Sequence, residues 1–311
     1  MKHSTLFYPT VLALTTATIS GTSNFLNKIA VTVIKDPIFF TVFKNSLVAL
    51  LLVGILIAIK KRREVASLNK SQILKLLAVG FFGGSIPFAL YFTGLQQTSA
   101  LNASLIHKTL FIWVLIFAIP ILKERIFGWQ WLGVAAIFSA NLLIGGFAGF
   151  KYNSGELMIL GATILWGVEN IIAKIVLKDV ASSIVAAARF SFGTLLLLPI
   201  LFFHNADFAI IGKLTSQQWG WTAITVFTQV GFILTWYSAL KRAPATYVAT
   251  LLVPATLVTN ILSAVFVTHA FSGRQAFSMA LFLIGAILVV LFARKTAEQA
   301  ATTPPLELKK F

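Results

Sequence analysis

Apolar stretches of about 20 residues follow one another along nearly the whole chain, and short polar breaks separate them. A helix needs about 20 mainly apolar residues to cross the hydrocarbon core of a bilayer. The pattern therefore predicts an all-α polytopic membrane protein with ten transmembrane helices. The predicted spans are residues 9–33, 38–59, 74–95, 100–121, 128–147, 156–177, 182–203, 217–240, 245–267 and 274–293.

Two halves of the chain share one internal pattern. The sequence G-x-x-N-x-x-x-K occurs at residues 21–28 and again at 167–174, and Lys44 and Arg189 align at almost the same offset. The second copy lies five spans after the first, an odd number, so the second half is predicted to be inverted relative to the first, as in many secondary transporters. We therefore predict two inverted five-helix repeats, residues 1–150 and 151–295, and a disordered cytoplasmic tail over 296–311.

Composition agrees with a membrane protein. The chain is 58% hydrophobic and 11% charged, whereas soluble domains carry about 25% charged residues. A net charge of +16 would suggest a nucleic-acid partner in a soluble chain. Here the basic residues lie in short loops, so we expect the lipid bilayer and a small-molecule substrate as partners, and no nucleic acid.

Lys and Arg are distributed unequally between alternate loops, which indicates the orientation in the membrane. The side with few of them is predicted to face outward, so both termini are predicted to be cytoplasmic, in the cytoplasmic membrane of a prokaryote. The predicted outer loops hold Lys35, Lys151, Lys213 and Arg274, and the inner segments hold Lys2, Lys60, Lys61, Arg62, Arg63, Lys70, Lys75, Lys123, Arg125, Lys178, Lys241, Arg242, Arg294, Lys295, Lys309 and Lys310.

Charged residues inside a bilayer are costly and are functional candidates by default. Glu169 is the acid that lies well inside a span, against five basic residues: Lys28, Lys44, Lys108, Lys174 and Arg189. Either several of these cations extend to the interface, or they face a wet cavity that accepts anions. Lys108, about eight residues into the fourth span, favours the cavity.

The candidate substrate-binding residues are Lys108, Lys28, Asn24, Asn170 and Arg189. Glu169 is a candidate charge partner of a cation on another helix, such as Lys28 or Lys108, or a proton-coupling site. His107 is a candidate proton carrier, or a histidine that a neighbouring helix satisfies. Aromatic residues that can form cavity walls are Tyr91, Trp113, Trp166, Trp236 and Tyr237.

Helix-breaking residues mark places where the backbone can open. The third span contains Gly80, Gly83, Gly84 and Pro87, the eighth contains Gln229 and Gly231, and the ninth contains Pro254. Broken helices can line a binding site, and Gly also allows helices to pack closely. Both interpretations remain open.

The sequence contains no motif of a hydrolase, a zinc protease or a nucleotide-binding loop. It has no cysteine, which excludes disulfides, thiol catalysis and cysteine-ligated metals. We therefore expect no enzyme activity, no cofactor and no metal. The oligomeric state, monomer or homodimer, does not follow from the sequence.

The chain resembles the EamA family of the drug/metabolite transporter superfamily over residues 9–293. The resemblance rests on Leu122-Lys123-Glu124-Arg125 with Trp129-Gln130-Trp131-Leu132-Gly133, and on Tyr237-x-x-Leu240 followed by Ala249 and Pro254. It implies a carrier with a central cavity between the halves and alternating access. The sequence departs from the family at His269, which aligns with Glu124, and at His107-Lys108-Thr109, which align with the region of Pro254.

The functional hypothesis is a secondary transporter of a small polar organic metabolite, such as an amino acid or an organic anion, that works by alternating access. The substrate is expected to be anionic or zwitterionic, and coupling to protons is left open. Two alternatives come from other classes of protein. One is a lipid scramblase or flippase-like protein, which needs a polar groove open to lipid. The other is a non-transporting membrane sensor or scaffold subunit, for which internal symmetry has no purpose.

Overall fold

The computed structural model describes residues 6–33, 37–98, 103, 106–124, 128–145, 153–203, 208–269 and 273–302. The described chain contains thirteen α-helices, two π-helical segments and one 3₁₀ helix. The α-helices are α1 Phe7–Val33, α2 Pro37–Ala58, α3 Arg62–Ala66, α4 Lys70–Val79, α5 Ile86–Gln97, α6 Leu110–Leu122, α7 Gly128–Gly145, α8 Ser154–Val176, α9 Ser182–Phe203, α10 Ser216–Arg242, α11 Ala245–Leu252, α12 Ala255–Ser263 and α13 Gly273–Thr302.

Each of the ten predicted spans coincides with a helical pass, so the predicted fold class is confirmed. The third pass is α4 and α5 with the π-helical segment Gly80–Ser85 between them, and the ninth is α11 and α12. Six helices of the described chain are long and apolar enough to cross a membrane, and the apolar helices Ile106–Leu122 and Ala276–Phe292 are shorter. The protein is a multi-pass membrane protein.

The final helix corrects the prediction of a disordered tail from residue 296. Helix α13 continues to Thr302, and residues 303–311 lie outside the described part of the chain. The added residues, Lys295 to Thr302, include three Ala, one Glu and one Gln. These are strong helix formers, so the loss of hydropathy ends the predicted span without ending the helix.

Two predicted helix interruptions are present and a third is not. The glycine-rich stretch Gly80–Ser85 forms a π-helix, and a turn at Val253 and Pro254 separates α11 from α12. The Pro lacks the N–H for a helical hydrogen bond, which explains the second break. Helix α10 runs unbroken through Gln229 and Gly231.

The helices pack in pairs that follow the internal repeat. Helix α1 packs on α10, and its repeat equivalent α8 packs on α5. Likewise α1 contacts α12 and α8 contacts α6, while α2 pairs with α9 and α7 pairs with α13. Exchanging the two halves reproduces the same set of pairs, as the inverted repeat requires.

The repeated glycines explain part of this packing. A Cβ on Gly21 would lie 2.5 Å from the Cβ of Val258, and one on Gly167 would lie 2.9 Å from the Cβ of Trp113. Gly21 and Gly167 are the first residues of the two sequence copies, and the segments they contact, in α12 and α6, are also repeat equivalents. Small residues let helices approach closely in a membrane, so this Gly fixes the same crossing in each half.

Candidate functional site

A cavity of about 150 Å³ lies between the two halves. Helices α1 and α6 of the first half and α8, α9, α10 and α11 of the second half contribute to its wall. The lining residues are Ser20, Ser23, Asn24, His107, Lys108, Leu110, Phe111, Trp166, Glu169, Asn170, Arg189, Gln229, Phe232, Trp236, Ala249, Leu252 and Val253.

Most of the candidate residues from the sequence meet at this cavity, although they come from spans that are far apart in the chain. The side chain of Lys28 lies outside the described residues. His107 and Lys108, which are adjacent in sequence, both line the cavity. The candidates brought together are Lys108, Asn24, Asn170, Arg189, Glu169 and His107.

A buried charged cluster forms one part of the wall. The Arg189 Nη1 atom donates to Glu169 Oε2 at 3.2 Å and to the Tyr237 hydroxyl at 3.3 Å. The Tyr237 hydroxyl donates in turn to Glu169 Oε1. Both carboxylate oxygens are thus engaged, and the Glu169 side chain is fully buried. Such a buried pair persists only where further hydrogen bonds satisfy its remaining groups.

The cation that pairs with Glu169 differs from the candidates proposed for it. Sequence reasoning suggested Lys28 or Lys108, whereas the structure places Arg189 of α9 within ion-pair distance. The choice depends on how α8 and α9 are rotated about their axes, which hydropathy does not determine.

The π-helical segment makes room for this cluster. A Cβ on Gly83 would lie 2.6 Å from Glu169 Cγ and 3.2 Å from Arg189 Nε. The carbonyl oxygen of Gly83 accepts a hydrogen bond from Trp166 Nε1 at 3.0 Å. The glycine thus lets the backbone approach the carboxylate and offers a carbonyl to a wall residue, as expected of π-helical turns near functional sites.

Asn170 holds two aromatic residues of the cavity wall. Its Nδ2 atom donates to the carbonyl of Trp166 at 2.8 Å, and its Oδ1 atom accepts from Trp236 Nε1 at 3.1 Å. The amide thereby joins α8 to α10 and holds the Trp236 indole at the cavity. Its side-chain hydrogen bonds serve the protein, so Asn170 shapes the cavity.

Lys108 is the unbalanced charge at the cavity. Two ion pairs occur among the described residues, Lys61–Glu64 at the surface and Arg189–Glu169, and Lys108 belongs to neither. Two further nitrogens of lining residues, Arg189 Nε and His107 Nδ1, are buried and have no hydrogen-bond partner in the described chain. Unsatisfied buried donors are costly, so these two nitrogens and the Lys108 cation favour a hydrogen-bond acceptor at this part of the wall.

Two other intramembrane cations lie away from the cavity. Lys174 Nζ donates to the carbonyl oxygens of Leu240 and Ala243, at 2.5 and 2.6 Å, where α10 ends. A cation at a helix C-terminus stabilises it, so Lys174 is accounted for structurally. Lys44, the repeat partner of Arg189, is buried with its Nζ 5.7 Å from the ring centroid of Phe40.

The two halves also contact each other where α6 ends and α11 begins. Glu124 Oε1 accepts from the backbone N–H of Ala245 at 2.7 Å. Glu124 Oε2 accepts from the backbone N–H and the hydroxyl of Thr246 at 2.9 and 2.7 Å. A carboxylate at a helix N-terminus satisfies free N–H groups and is favoured by the helix dipole. Ala249 of the cavity wall lies one helical turn further along α11.

The backbone corrects the alignment of His269. Lys123 and His269 both have left-handed backbone conformations, with φ of 55° and 49°. They end equivalent passes, so His269 corresponds to Lys123, one residue before the Glu124 with which sequence alignment paired it.

The sequence analysis did not identify some of the residues that line the cavity. Ser20, Ser23 and Phe232 line the cavity, as does Gln229, which was considered only as a helix breaker. Ser23 could have been found from the internal repeat. It precedes Asn24 in the first copy, just as Glu169 precedes Asn170 in the second.

The aromatic candidates divide into two groups. Trp166 and Trp236 line the cavity, whereas Tyr91, Trp113 and Tyr237 lie behind it. The Tyr91 ring packs against His107 at 5.5 Å between centroids, and Tyr237 contacts Glu169 and Arg189. These three support the wall from behind. Within the described residues, no cluster of three His, Cys, Asp or Glu could hold a metal ion.

A family model described as the EamA-like transporter family matches residues 8–146 and 153–291, one match for each half. An uncharacterized inner membrane transporter, YhbE of Escherichia coli K12, is 26% identical over 250 residues, 77% of this chain and 74% of that protein. YyaM, an uncharacterized transporter of Bacillus subtilis, is 26% identical over 72% of this chain and 74% of its own length.

Two further likenesses agree. An uncharacterized transporter of Methanothermobacter thermautotrophicus is 22% identical over 74% of this chain and 68% of its own length. A crystal structure superposes with a TM-score of 0.76 at 19% sequence identity, covering 93% of this chain and 98% of that one. The superposition shows that this chain and the protein of that crystal structure share a fold.

Proposed function

Because the chain belongs to the EamA-like transporter family, we propose that it is a secondary carrier of a small polar organic metabolite, anionic or zwitterionic. The substrate would bind in the cavity between the halves and move by alternating access. Both termini would face the cytoplasm. In this proposal Lys108, Arg189, Asn24, Asn170 and Lys28 form the substrate site, directly or by shaping it.

One observation carries the proposal. Lys108 is a cation with no ion-pair partner in the described chain, and it lines a cavity to which both halves contribute. An intramembrane charge without a partner is expected to face a water-filled path or a ligand. Residues of both halves at one cavity also fit a site that the halves can expose alternately.

Proton coupling is the second element of the proposal. Glu169 and His107 are titratable groups that line the cavity, and Glu169 is tied to Arg189 and Tyr237. A substrate anion that approaches Arg189 competes with the carboxylate of Glu169. Protonation of Glu169 would release Arg189 for the substrate, which would link proton movement to substrate binding.

The test is solute flux in vesicles reconstituted with the full-length protein, with and without a proton gradient, across a metabolite panel. We expect saturable flux of at least one anionic or zwitterionic metabolite, and a response to the gradient if protons are coupled. Lys108→Ala should abolish flux with little loss of folded protein, while the exposed Lys70→Ala should retain it. Lipid movement without any solute flux would contradict the proposal.

A further inference from the structure

We infer that the substrate is an organic acid that carries a carboxylate and no ammonium group, such as a 2-oxo acid. This inference rests on the proposed function and narrows its substrate class. Its basis is the charge balance of the cavity, whose described wall has an unmatched cation and no unmatched anion.

The charges can be assigned one by one. Among the described lining residues, Glu169 carries a negative charge, and Lys108 and Arg189 carry positive charges. Arg189 Nη1 and the Tyr237 hydroxyl each bond one oxygen of the Glu169 carboxylate. Lys108 therefore leaves a net positive charge in the described wall.

An amino acid fits this arrangement poorly. Its carboxylate could face Lys108, but its ammonium group would lie in a cavity whose described wall carries a net positive charge. Glu169 is the acidic lining residue, and both of its carboxylate oxygens already have donors, so an ammonium group there would compete with Arg189 or Tyr237. Like charges brought together across a binding site give specificity by repulsion, so the ammonium group is selected against.

The unpaired nitrogens suit a carboxylate instead. Arg189 Nε is a permanent donor, and His107 Nδ1 donates in one tautomer; both are buried without partners in the described chain. A carboxylate or an adjacent carbonyl supplies acceptor oxygens for such donors. Asn24, on the facing helix α1, also lines the cavity and can donate to a keto oxygen.

The rest of the cavity wall limits the size and the polarity of the substrate. Phe111, Trp166, Phe232 and Trp236 give the cavity apolar faces. A volume of about 150 Å³ has room for on the order of ten water molecules, which is small beside the pockets for drug-sized ligands. A small acid with an apolar or aromatic side chain fits both limits.

The experiment compares acids and amino acids that share a side chain. Reconstituted full-length protein is assayed for competition and for direct flux with phenylpyruvate against phenylalanine, 2-oxoisocaproate against leucine, and pyruvate against alanine. For at least one pair, we expect the oxo acid to half-saturate at a concentration at least about tenfold below that of the amino acid, because the repulsion of the ammonium lowers its affinity.

Variants of Lys108 separate the effect of its charge on transport from an effect on folding. Lys108→Arg keeps the cation and should keep the preference, whereas Lys108→Gln should lose oxo-acid flux, and the exposed Lys70→Gln should behave as the parent. Thermal stabilisation of the unmodified protein by phenylpyruvate but not by phenylalanine gives a readout that needs no variant.

The outcomes are distinguishable. Equal or better flux of the amino acids, with Lys108 still required, overturns the substrate class and leaves the carrier in place. Preference for the oxo acid that survives in Lys108→Gln also overturns the inference, since the charge would not be its cause. Absence of flux for the entire metabolite panel would remove the carrier proposal itself.

Discussion

At the scale of single residues, the intramembrane charges differ in how the protein compensates them. Burying an ion is costly unless a partner or a ligand compensates it. Arg189 has Glu169 and Lys174 has the carbonyl groups at the end of α10. Lys44 is buried with its Nζ near the ring of Phe40 and lies away from the cavity. Lys108 has no anionic or carbonyl partner in the described chain and lines the cavity.

The pair Glu169–Arg189 makes a prediction about stability. Glu169→Gln leaves the guanidinium of Arg189 buried without its counter-charge, which should cost about 3–5 kcal/mol. The double variant Glu169→Gln with Arg189→Gln should recover part of that loss, because no charge is then left unpaired. Apparent melting temperature in detergent measures both changes.

The exposed pair Lys61–Glu64 offers a matched control for this measurement. Glu64→Gln removes a carboxylate from an ion pair at the surface, where such pairs contribute little. An unchanged melting temperature is expected. If Glu169→Gln and Glu64→Gln had equal effects, the buried pair would not stabilise the fold.

Which residues meet at the cavity was partly readable from the sequence. Charged and amide residues within apolar spans are rare enough to stand out, so Lys108, Glu169, Arg189 and the two Asn were identified. The pairing of Glu169 with Arg189 and the position of Tyr237 were not, because they depend on helix rotation. Ser23 and Phe232 are common residue types in spans and gave little signal on their own.

At the scale of helices, close contacts rest on glycines that face each other. A Cβ on Gly193 of α9 would lie 2.5 Å from the Cα of Gly84 in the π-helical segment. The neighbours are backbone atoms, which cannot rotate away. The contact therefore sets the distance between α9 and the segment that carries Gly83 to the charged cluster.

Gly193→Ala should accordingly destabilise the protein by about 1–3 kcal/mol through overpacking. Gly54 of α2 is the control, because a Cβ there meets no atom within 4 Å. Gly54→Ala should be neutral or stabilising by up to about 1 kcal/mol, since Ala has the higher helix propensity. Equal melting temperatures for the two variants would contradict the close-packing argument.

Hydropathy predicted the passes well and their ends less well. Apolar length defines a span because the bilayer core must be crossed, so the ten predicted spans match helical passes. Helices α4 and α13 extend into polar sequence, where hydropathy no longer distinguishes helix from loop. The start of α4 did have a local signal in the Asn69–Gln72 capping box.

At the scale of the whole molecule, the inverted repeat predicts which loops share a side of the membrane. Ser67 and Lys213 are exposed and lie in segments predicted to face opposite sides. The chain has no cysteine, so Ser67→Cys and Lys213→Cys each create a single labelling site. A membrane-impermeant thiol reagent should label Lys213→Cys in intact cells and Ser67→Cys only after lysis.

Asp179→Cys supplies the control for this topology. Residue 179 is exposed and is predicted to share the side of Ser67, although it belongs to the second half. Labelling of residues 67 and 179 from opposite sides would contradict the predicted arrangement of the halves.

Glu124 has a consequence for how such a molecule moves. Glu124 belongs to the first half, while Ala245 and Thr246 belong to the second. Its three hydrogen bonds therefore connect the two halves. In the proposed alternating-access cycle, opening the cavity on the side of Glu124 would break these hydrogen bonds, and water would then bind the freed backbone N–H groups. If the proposed alternating access holds, the strength of these three bonds would help to set how long the protein stays closed on that side, although the transported solute need not contact Glu124.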